Sequence, residues 1–225
     1  MLSIVEEGGR RWVACCSEQE RGWVPWQDGK SWLGLVHEVG LLGVPLVFDR
    51  VHPSVTLLAR CGRTVATMNA GSGDSRVAAS KVVMRSGRHF AQFMVVAVDR
   101  MLFGVIRPGW DVEGEREADG EGPPDVEFES KGDHCFFDTE DGHRMPGDHS
   151  WEGAQNATER NDRIGMLLDL DQGSMTIWKN DEKLGVMQAE GLRGPLCWAV
   201  ALFFTDAGVA RIGSGSLYSN SMPTV

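Results

Sequence analysis

Short apolar runs separated by Gly, Pro, Asn and Asp dominate the chain from Phe48 onward. Runs of this length, rich in β-branched and aromatic residues, are typical of strands in an antiparallel sandwich. The pattern predicts nine strands: Ser54–Ala59, Thr64–Met68, His89–Val98, Met101–Ile106, His134–Phe137, Arg163–Asp169, Ser174–Lys179, Leu196–Phe204 and Gly208–Ile212. Helix signals are nearly absent from this part of the chain, so the fold class indicated is all-β.

Two of the predicted turns have a clear backbone requirement. The segment Asp169–Gly173 places Gly where a hairpin loop needs positive φ, and Asn180-Asp181 forms a two-residue turn. Three consecutive strands between Arg163 and Gly185 are therefore expected to form a meander.

The first 47 residues have a different pattern. Trp residues lie among Gly, Pro and charged residues without a clean period until Ser31, which can cap a helix. The next apolar residues recur at helical spacing: Trp32, Leu35, Val36 and Val39. We expect an N-terminal extension over 1–47 with one short helix, a β-sandwich over 48–213 and a flexible tail over 214–225.

Acidic residues are concentrated in one segment of the chain. The net charge is −10, and residues 111–133 contain ten Asp and Glu against Arg116 and Lys131. A segment this polar, interrupted by four Gly and a Pro-Pro pair, is expected to be a solvated insertion. The overall charge argues against binding nucleic acid or an anionic membrane and favours a basic protein partner.

The cysteines give no sign of a disulfide framework or a zinc site. There are five, at irregular spacing and without a Cys-x-x-Cys pair. No signal peptide is recognisable, and no apolar run approaches the roughly 18 residues of a membrane span. We expect a cytoplasmic or nuclear protein that is not secreted. The sequence leaves the oligomeric state open.

The chain matches no signature of catalysis or metal binding. It has no nucleophile elbow, no Walker-type loop and no His-Glu-x-x-His motif. The spacing of His134, Cys135, His143 and His149 fits no standard ligand pattern. The sequence therefore predicts a protein that is not an enzyme and needs no metal or other cofactor.

A longer pattern lies between Asn161 and Gly185. It begins Asn-Asp-Arg-Ile-Gly-Met-Leu-Leu-Asp-Leu-Asp, continues through the aromatic strand Met175–Lys179, and ends with Leu184-Gly185. These motifs, in this order, resemble the core of the SPRY family. Further matches follow the family's order: Phe48-Asp49, His52-Pro53, Ser86–Phe90, Phe103–Val105, Gly109–Asp111 and Leu196–Val200.

Several residues of the core pattern have a physical role that the sequence indicates. Asp162 can form hydrogen bonds with the backbone of the turn that leads into the strand. Gly165 has no side chain and therefore lets a neighbouring strand or aromatic ring approach closely. Asn180 supplies a left-handed turn residue. We expect Trp178 and Trp198 in the core. The chain departs from the family pattern where Asn180-Asp181 replaces Asn-Gly.

The resemblance implies a SPRY-like bent antiparallel β-sandwich with a short, partly helical N-terminal extension. It also implies a non-catalytic module that binds a short peptide or a protein surface through loops at one end. Family members serve as scaffolds or as substrate receptors of ubiquitin ligases, and a similar adaptor role is what the resemblance implies here.

Aromatic and Arg residues on the loops are the expected anchors for a partner. The predicted partner-binding residues are Arg76, Arg107, Trp110, Trp151, Phe204 and Thr205. Arg76 is expected on the loop that leads to the Ser-Gly-x-His strand, and Phe204 lies where some family members have an aromatic pocket residue. For Trp110 and Trp151, packing in the core is the alternative.

The sequence leaves two other functions open. Lectin-like and hydrolase sandwiches share the architecture, so the chain could bind or cleave carbohydrate if exposed aromatic residues flanked paired carboxylates. It could also be an inert structural segment of a larger scaffold.

Overall fold

The computed structural model describes residue 7 and residues 46–68, 76–96, 100–112, 134–146, 150–154, 159–203 and 209–214. The helix predicted after Ser31, nearly all of the acidic insertion and the C-terminal tail lie outside these ranges. So do Phe204, Thr205 and His149.

The described part of the chain contains thirteen strands and one short 3₁₀ helix, Ala59–Cys61. The strands are β1 (Phe48–Val51), β2 (Val55–Leu57), β3 (Val65–Met68), β4 (Arg76–Met84), β5 (Arg88–Val95), β6 (Met101–Ile106), β7 (His134–Asp138), β8 (Arg144–Met145), β9 (Arg163–Asp169), β10 (Ser174–Lys179), β11 (Glu182–Gln188), β12 (Leu196–Leu202) and β13 (Val209–Ser214).

The strands form two antiparallel sheets. The six-stranded sheet has the order β1-β4-β12-β6-β7-β8, and the seven-stranded sheet has the order β11-β10-β9-β5-β13-β3-β2. Strands β9, β10 and β11 are neighbours joined by tight turns. The predicted all-β sandwich and its meander are confirmed.

The inner faces of the two sheets enclose the main core. Phe93 of the seven-stranded sheet stacks on Phe103 of the six-stranded sheet, with ring centroids 4.9 Å apart. Trp198 packs edge-to-face on Phe93 at 6.2 Å and is buried. Trp178 is also buried, but it lies outside this cluster: it packs edge-to-face on Phe90, with ring centroids 6.2 Å apart.

Gly165 and the turn at Asn180 have the roles that the sequence predicts. A Cβ on Gly165 would lie 3.0 Å from Cζ of Phe90 and 3.4 Å from Cβ of Trp178. Asn180 has a φ of 50° and Asp181 a φ of 73°, as a two-residue hairpin turn of the primed type requires. Asp162 accepts hydrogen bonds from Nδ2 of Asn180, at 2.7 Å, and from the backbone N–H of Glu159, at 3.3 Å.

Strand β4 is absent from the sequence prediction, and Arg76 does not lie on a loop. Arg76 is the first residue of β4, a nine-residue strand that pairs with β1 and β12. The strand contains Ala-Ala-Ser-Lys in its middle, and Ala and Lys are depleted in strands, so the local signal is weak. The pairing of β4 on both sides compensates for that low intrinsic preference. The two-residue strand β8 is also missing from the prediction.

A second apolar cluster covers the outer face of the six-stranded sheet, the face turned away from the other sheet. Along β12, Trp198 and Val200 point into the main core, while Ala199 and Ala201 belong to this outer cluster. Trp110 packs into the outer cluster after the chain leaves β6. The six-stranded sheet is therefore buried on both faces.

Candidate functional site

The register of the six-stranded sheet separates the predicted site residues into two groups. Arg76 pairs with Leu202, which pairs with Met101, and these residues mark one end of the strands. Ile106 pairs with Cys197 near the opposite end and is followed by Arg107. We call these ends the Arg76 end and the Arg107 end. The length of β12 separates them, which corresponds to about 20 Å.

Arg100 and Phe203 lie together at the Arg76 end. The guanidinium carbon of Arg100 is 4.7 Å from the centroid of the Phe203 ring. Nη2 and Nε of the same guanidinium contact Oδ2 of Asp138, at 2.8 and 2.9 Å. Oε2 of Glu140 is 3.4 Å from Nε. The aromatic ring is thus covered by a cation whose position is fixed by two carboxylates.

Asp138 is the most buried acidic group of this arrangement, with a side chain that is 2% exposed. Burial raises the pKa of its carboxyl, and hydrogen bonds from Arg100 and the Glu140 amide oppose that shift. Its Oδ1 accepts the Glu140 N–H at 2.8 Å, which shapes the turn after β7. Asp138 therefore holds Arg100 and this turn in one arrangement.

Trp151 lies beside the turn between β7 and β8, which is also at the Arg76 end. Its Nε1–H donates to the carbonyl oxygen of Gly142 at 2.7 Å, and the side chain is half-buried. The ring packs against Gly185 of β11, where a Cβ would lie 3.4 Å from Cζ3. Trp151 thus connects the edges of both sheets. Its role in binding a partner remains a prediction.

Arg107 and Trp110 lie at the other end and make internal contacts. Nη1 of Arg107 donates to the carbonyl oxygens of Arg193, at 2.5 Å, and Pro195, at 3.4 Å. Trp110 is only 9% exposed and packs edge-to-face on His134, with centroids 4.8 Å apart. For Trp110 the structure shows the alternative of core packing.

Arg50 holds the Trp110 segment against the sheet. Its Nη1 donates to the carbonyl oxygens of Pro108, at 2.5 Å, and Trp110, at 3.2 Å. The side chain reaches these carbonyls from β1, the edge strand. This contact joins two parts of the chain that are 60 residues apart, so no local sequence signal could have predicted it.

The six predicted residues therefore do not form one patch. Arg76 and Trp151 lie at the Arg76 end, and the chain leaves β12 there through Phe203 toward Phe204 and Thr205, which are outside the described residues. Arg107 and Trp110 lie about 20 Å away along the strands. Sequence reasoning also missed Arg100, Asp138 and Phe203. The aromatic pair Phe203-Phe204 directly after a buried strand is the signal that could have pointed to this place.

Among the residues considered as metal ligands, His134 and Cys135 lie on opposite faces of β7. His134 packs with Trp110 on the outer face, whereas Cys135 lies in the main core, where burial raises the pKa of its thiol to about 12. Nδ1 of His143 is 3.1 Å from Oδ2 of Asp141. Within the described ranges, no group of three or more His, Cys, Asp or Glu side chains could hold a metal ion. The same ranges contain no helix that is long and apolar enough to span a bilayer.

Two antiparallel sheets in this strand order, with loops at the strand ends, define an antiparallel β-sandwich. The fold is the SPRY fold. The SPRY domain of human HERC1 superposes with a TM-score of 0.58 at 16% identity, covering 76% of this chain and 99% of that one. The PSpry domain of TRIM65 superposes with a TM-score of 0.54 at 13% identity, covering 75% and 88%. No protein-family model and no curated protein sequence matches the chain.

Proposed function

We propose that this chain is a non-catalytic interaction module that binds a short peptide or a protein surface at its Arg76 end. The observation that carries the proposal is the gathering of Arg76, Trp151 and the Arg100–Phe203 pair at one end of the sandwich. Arg and aromatic side chains are the side chains that most often anchor a protein partner.

The order of the Arg100–Phe203 pair supports the proposal. Both side chains are attached next to strand ends, and Asp138 fixes the guanidinium through two short contacts. A partner that packs against a pre-ordered surface loses less conformational entropy on binding. The surface can therefore give useful affinity from a small contact area.

Charge favours a basic partner. The net charge of −10, most of which comes from residues 111–133, attracts a basic chain to the protein as a whole over long range and speeds encounter, although it adds less to the final affinity. Arg100 is already paired with Asp138 and Glu140, so it does not repel such a partner as a bare charge would. We propose a partner segment that joins basic residues to an apolar anchor.

A role as a scaffold or as the substrate-recognition part of a ubiquitin ligase, in the cytoplasm or nucleus, belongs to the same proposal. It is supported by the sequence resemblance. A carbohydrate-binding surface would need exposed aromatic rings beside paired carboxylates. In the described part of the chain Trp110, Trp178 and Trp198 are buried and Trp151 is half-buried, which favours the protein partner.

Affinity capture from cell lysate with quantitative mass spectrometry tests the proposal. The wild-type chain is compared with the double variant Arg76→Ala, Phe204→Ala and with the control Arg193→Ala, which removes an exposed Arg at the other end. Partners that bind at the Arg76 end are lost from the double variant and kept by the control, with thermal unfolding unchanged. Equal capture by all three chains would reject the proposed location. No reproducible protein partner for the wild type would reject the function.

A further inference from the structure

Val83 is an exposed apolar residue near the Arg107 end of the six-stranded sheet. It is 39% exposed, whereas Met84, the next residue of β4, lies in the main core. Because side chains alternate along a strand, Val83 points away from that core. It pairs with Cys197 of β12, which is buried. Val83 therefore lies where the outer face of this sheet meets solvent.

Three arginines lie at the ends of the adjacent strands. Strands β4, β12 and β6 are neighbours in this order. Arg85 follows the last residue of β4, Arg107 follows the last residue of β6, and Arg193 lies shortly before the first residue of β12. Neighbouring strands are about 4.8 Å apart, so the backbones of these residues form a row about 10 Å long.

Close backbone contacts fix this arginine row. A Cβ on Gly194 would lie 2.6 Å from the carbonyl oxygen of Arg85 and 2.9 Å from its Cα. A residue without a side chain is therefore needed at Gly194, and it keeps Arg193 directly beside Arg85. Nη1 of Arg107 donates to the carbonyl oxygen of Arg193. Arg107 thus positions the loop that carries Arg193, while Arg85 and Arg193 are themselves exposed.

Most described acidic residues at this end belong to the other sheet. Asp169 ends β9 and is paired with Arg88 at 2.7 Å, and Asp171 lies in the loop between β9 and β10. Glu190 follows β11. On the described loops of the six-stranded sheet at this end, Asp111 is the one acid near the three arginines. The arginine row therefore gives this strip of surface a local positive charge.

We infer that Val83, Arg85 and Arg193 form a second binding surface, for a protein segment that presents an aliphatic side chain beside carboxylates. Guanidinium groups bind carboxylates through paired N–H donors, and Val83 supplies an apolar contact next to them. A nucleic acid fits less well, because the net charge of −10 repels a long polyanion.

The second surface is independent of the one at the Arg76 end. The two lie about 20 Å apart along the strands, so a single domain has room for one partner at each end. Their charge preferences are opposite. Residues 111–133, with ten acidic and two basic residues, are attached beside the arginine row and repel an acidic partner. We therefore expect binding to be weak in the wild type and stronger when that charge is removed.

Fluorescence anisotropy with two synthetic peptides of equal length tests this inference. One repeats Leu-Asp-Glu, and the other repeats Leu-Asn-Gln, which keeps the aliphatic residue and removes the charge. The double variant Arg85→Gln, Arg193→Gln is compared with the matched control Arg160→Gln, Lys183→Gln, which removes two exposed cations near the Arg76 end. We expect the double variant to bind the acidic peptide about tenfold more weakly than the wild type and the control do. The uncharged peptide should not distinguish the three chains.

Equal affinity of the double variant and the wild type for the acidic peptide would overturn the inference. An equal loss in the control would also overturn it, because the peptide would then respond to net charge alone. If the wild type does not bind the acidic peptide, the comparison is repeated with residues 113–133 replaced by a Gly-Ser linker of equal length. Binding that then depends on Arg85 and Arg193 supports the second surface, and any other result rejects it.

Discussion

Arg100 contacts Asp138 through two guanidinium nitrogens while the same guanidinium covers the ring of Phe203. The three residues come from different strand ends and are brought together only by the sheet register. Because Asp138 is almost fully buried, the pair has a structural role in addition to the one we propose in binding.

The variant Arg100→Met should lower the free energy of unfolding by about 3 kcal/mol at pH 7, because it leaves a buried carboxylate without its cation. Burial already raises the pKa of Asp138, and loss of Arg100 raises it further. The variant should therefore regain stability relative to the wild type as the pH falls and Asp138 takes up a proton. Urea unfolding at pH 7 and pH 5 measures both effects.

Glu140→Gln is the matched control, because it changes the other carboxylate near the same guanidinium. The Glu140 side chain is 65% exposed, and we expect a change below about 0.5 kcal/mol. Similar losses in the two variants would show that burial of Asp138 is not what makes the pair important.

Trp110→Ala should act on stability. The side chain is buried in the outer cluster, so its removal should cost about 3 kcal/mol. Any loss of partner capture should follow the fraction of unfolded chain across a urea titration. Lost capture with an unchanged unfolding midpoint would instead make Trp110 a binding residue.

Asp181→Gly should stabilise the protein by about 0.5 kcal/mol, because Gly adopts the observed φ of 73° without strain. The ion pair that it removes, with Arg163, is more than 40% exposed on both sides and contributes little.

Asn180→Gly relieves similar strain but also removes two hydrogen bonds: the one that the Asn180 side chain donates to Asp162 and the one that it accepts from the Arg163 amide. We expect it to destabilise by about 1 kcal/mol in the same denaturation assay. Equal effects of the two variants would contradict this account.

His89 should make stability fall in mild acid. Burial lowers its pKa below the ordinary value of 6.5, although Nε2 contacts the carbonyl oxygen of Ser86 at 2.9 Å. The folded state therefore favours the neutral imidazole. The stability that this preference contributes is fully present above pH 6.5 and is lost as the pH falls toward the pKa of His89 in the folded state. His89→Gln lacks this titration. From pH 7.5 to pH 5, the free energy of unfolding of the wild type should fall relative to that of the variant. A constant difference between the two would disprove the assignment.

Local sequence signals are sufficient for much of the fold. Strands β6, β9 and β10 have the predicted bounds because dense apolar runs end at clear turn residues. Gly165 and Asn180 can be interpreted from the sequence alone, since each has a local backbone or packing requirement. Strand β4 is missed because its Ala-Ala-Ser-Lys centre depends on its neighbours for stability.

The site is less predictable for a physical reason. Sequence order shows which residues lie in loops, but the end of the sandwich at which each loop lies depends on strand direction and register. The sequence prediction groups Arg107 with Arg76 for this reason, and the structure places them about 20 Å apart. Arg100 and Asp138 are 38 residues apart, so their contact has no local signal.

The acidic insertion is attached at the Arg107 end. It follows the Trp110 segment and ends at His134, which pairs with Ile106 and packs against Trp110. This makes it a suitable place to join a reporter to the protein. A fluorescent domain or an epitope tag spliced into residues 113–133 would be held at the opposite end of the strands from the proposed partner, and binding could then be followed without labelling the surface that binds.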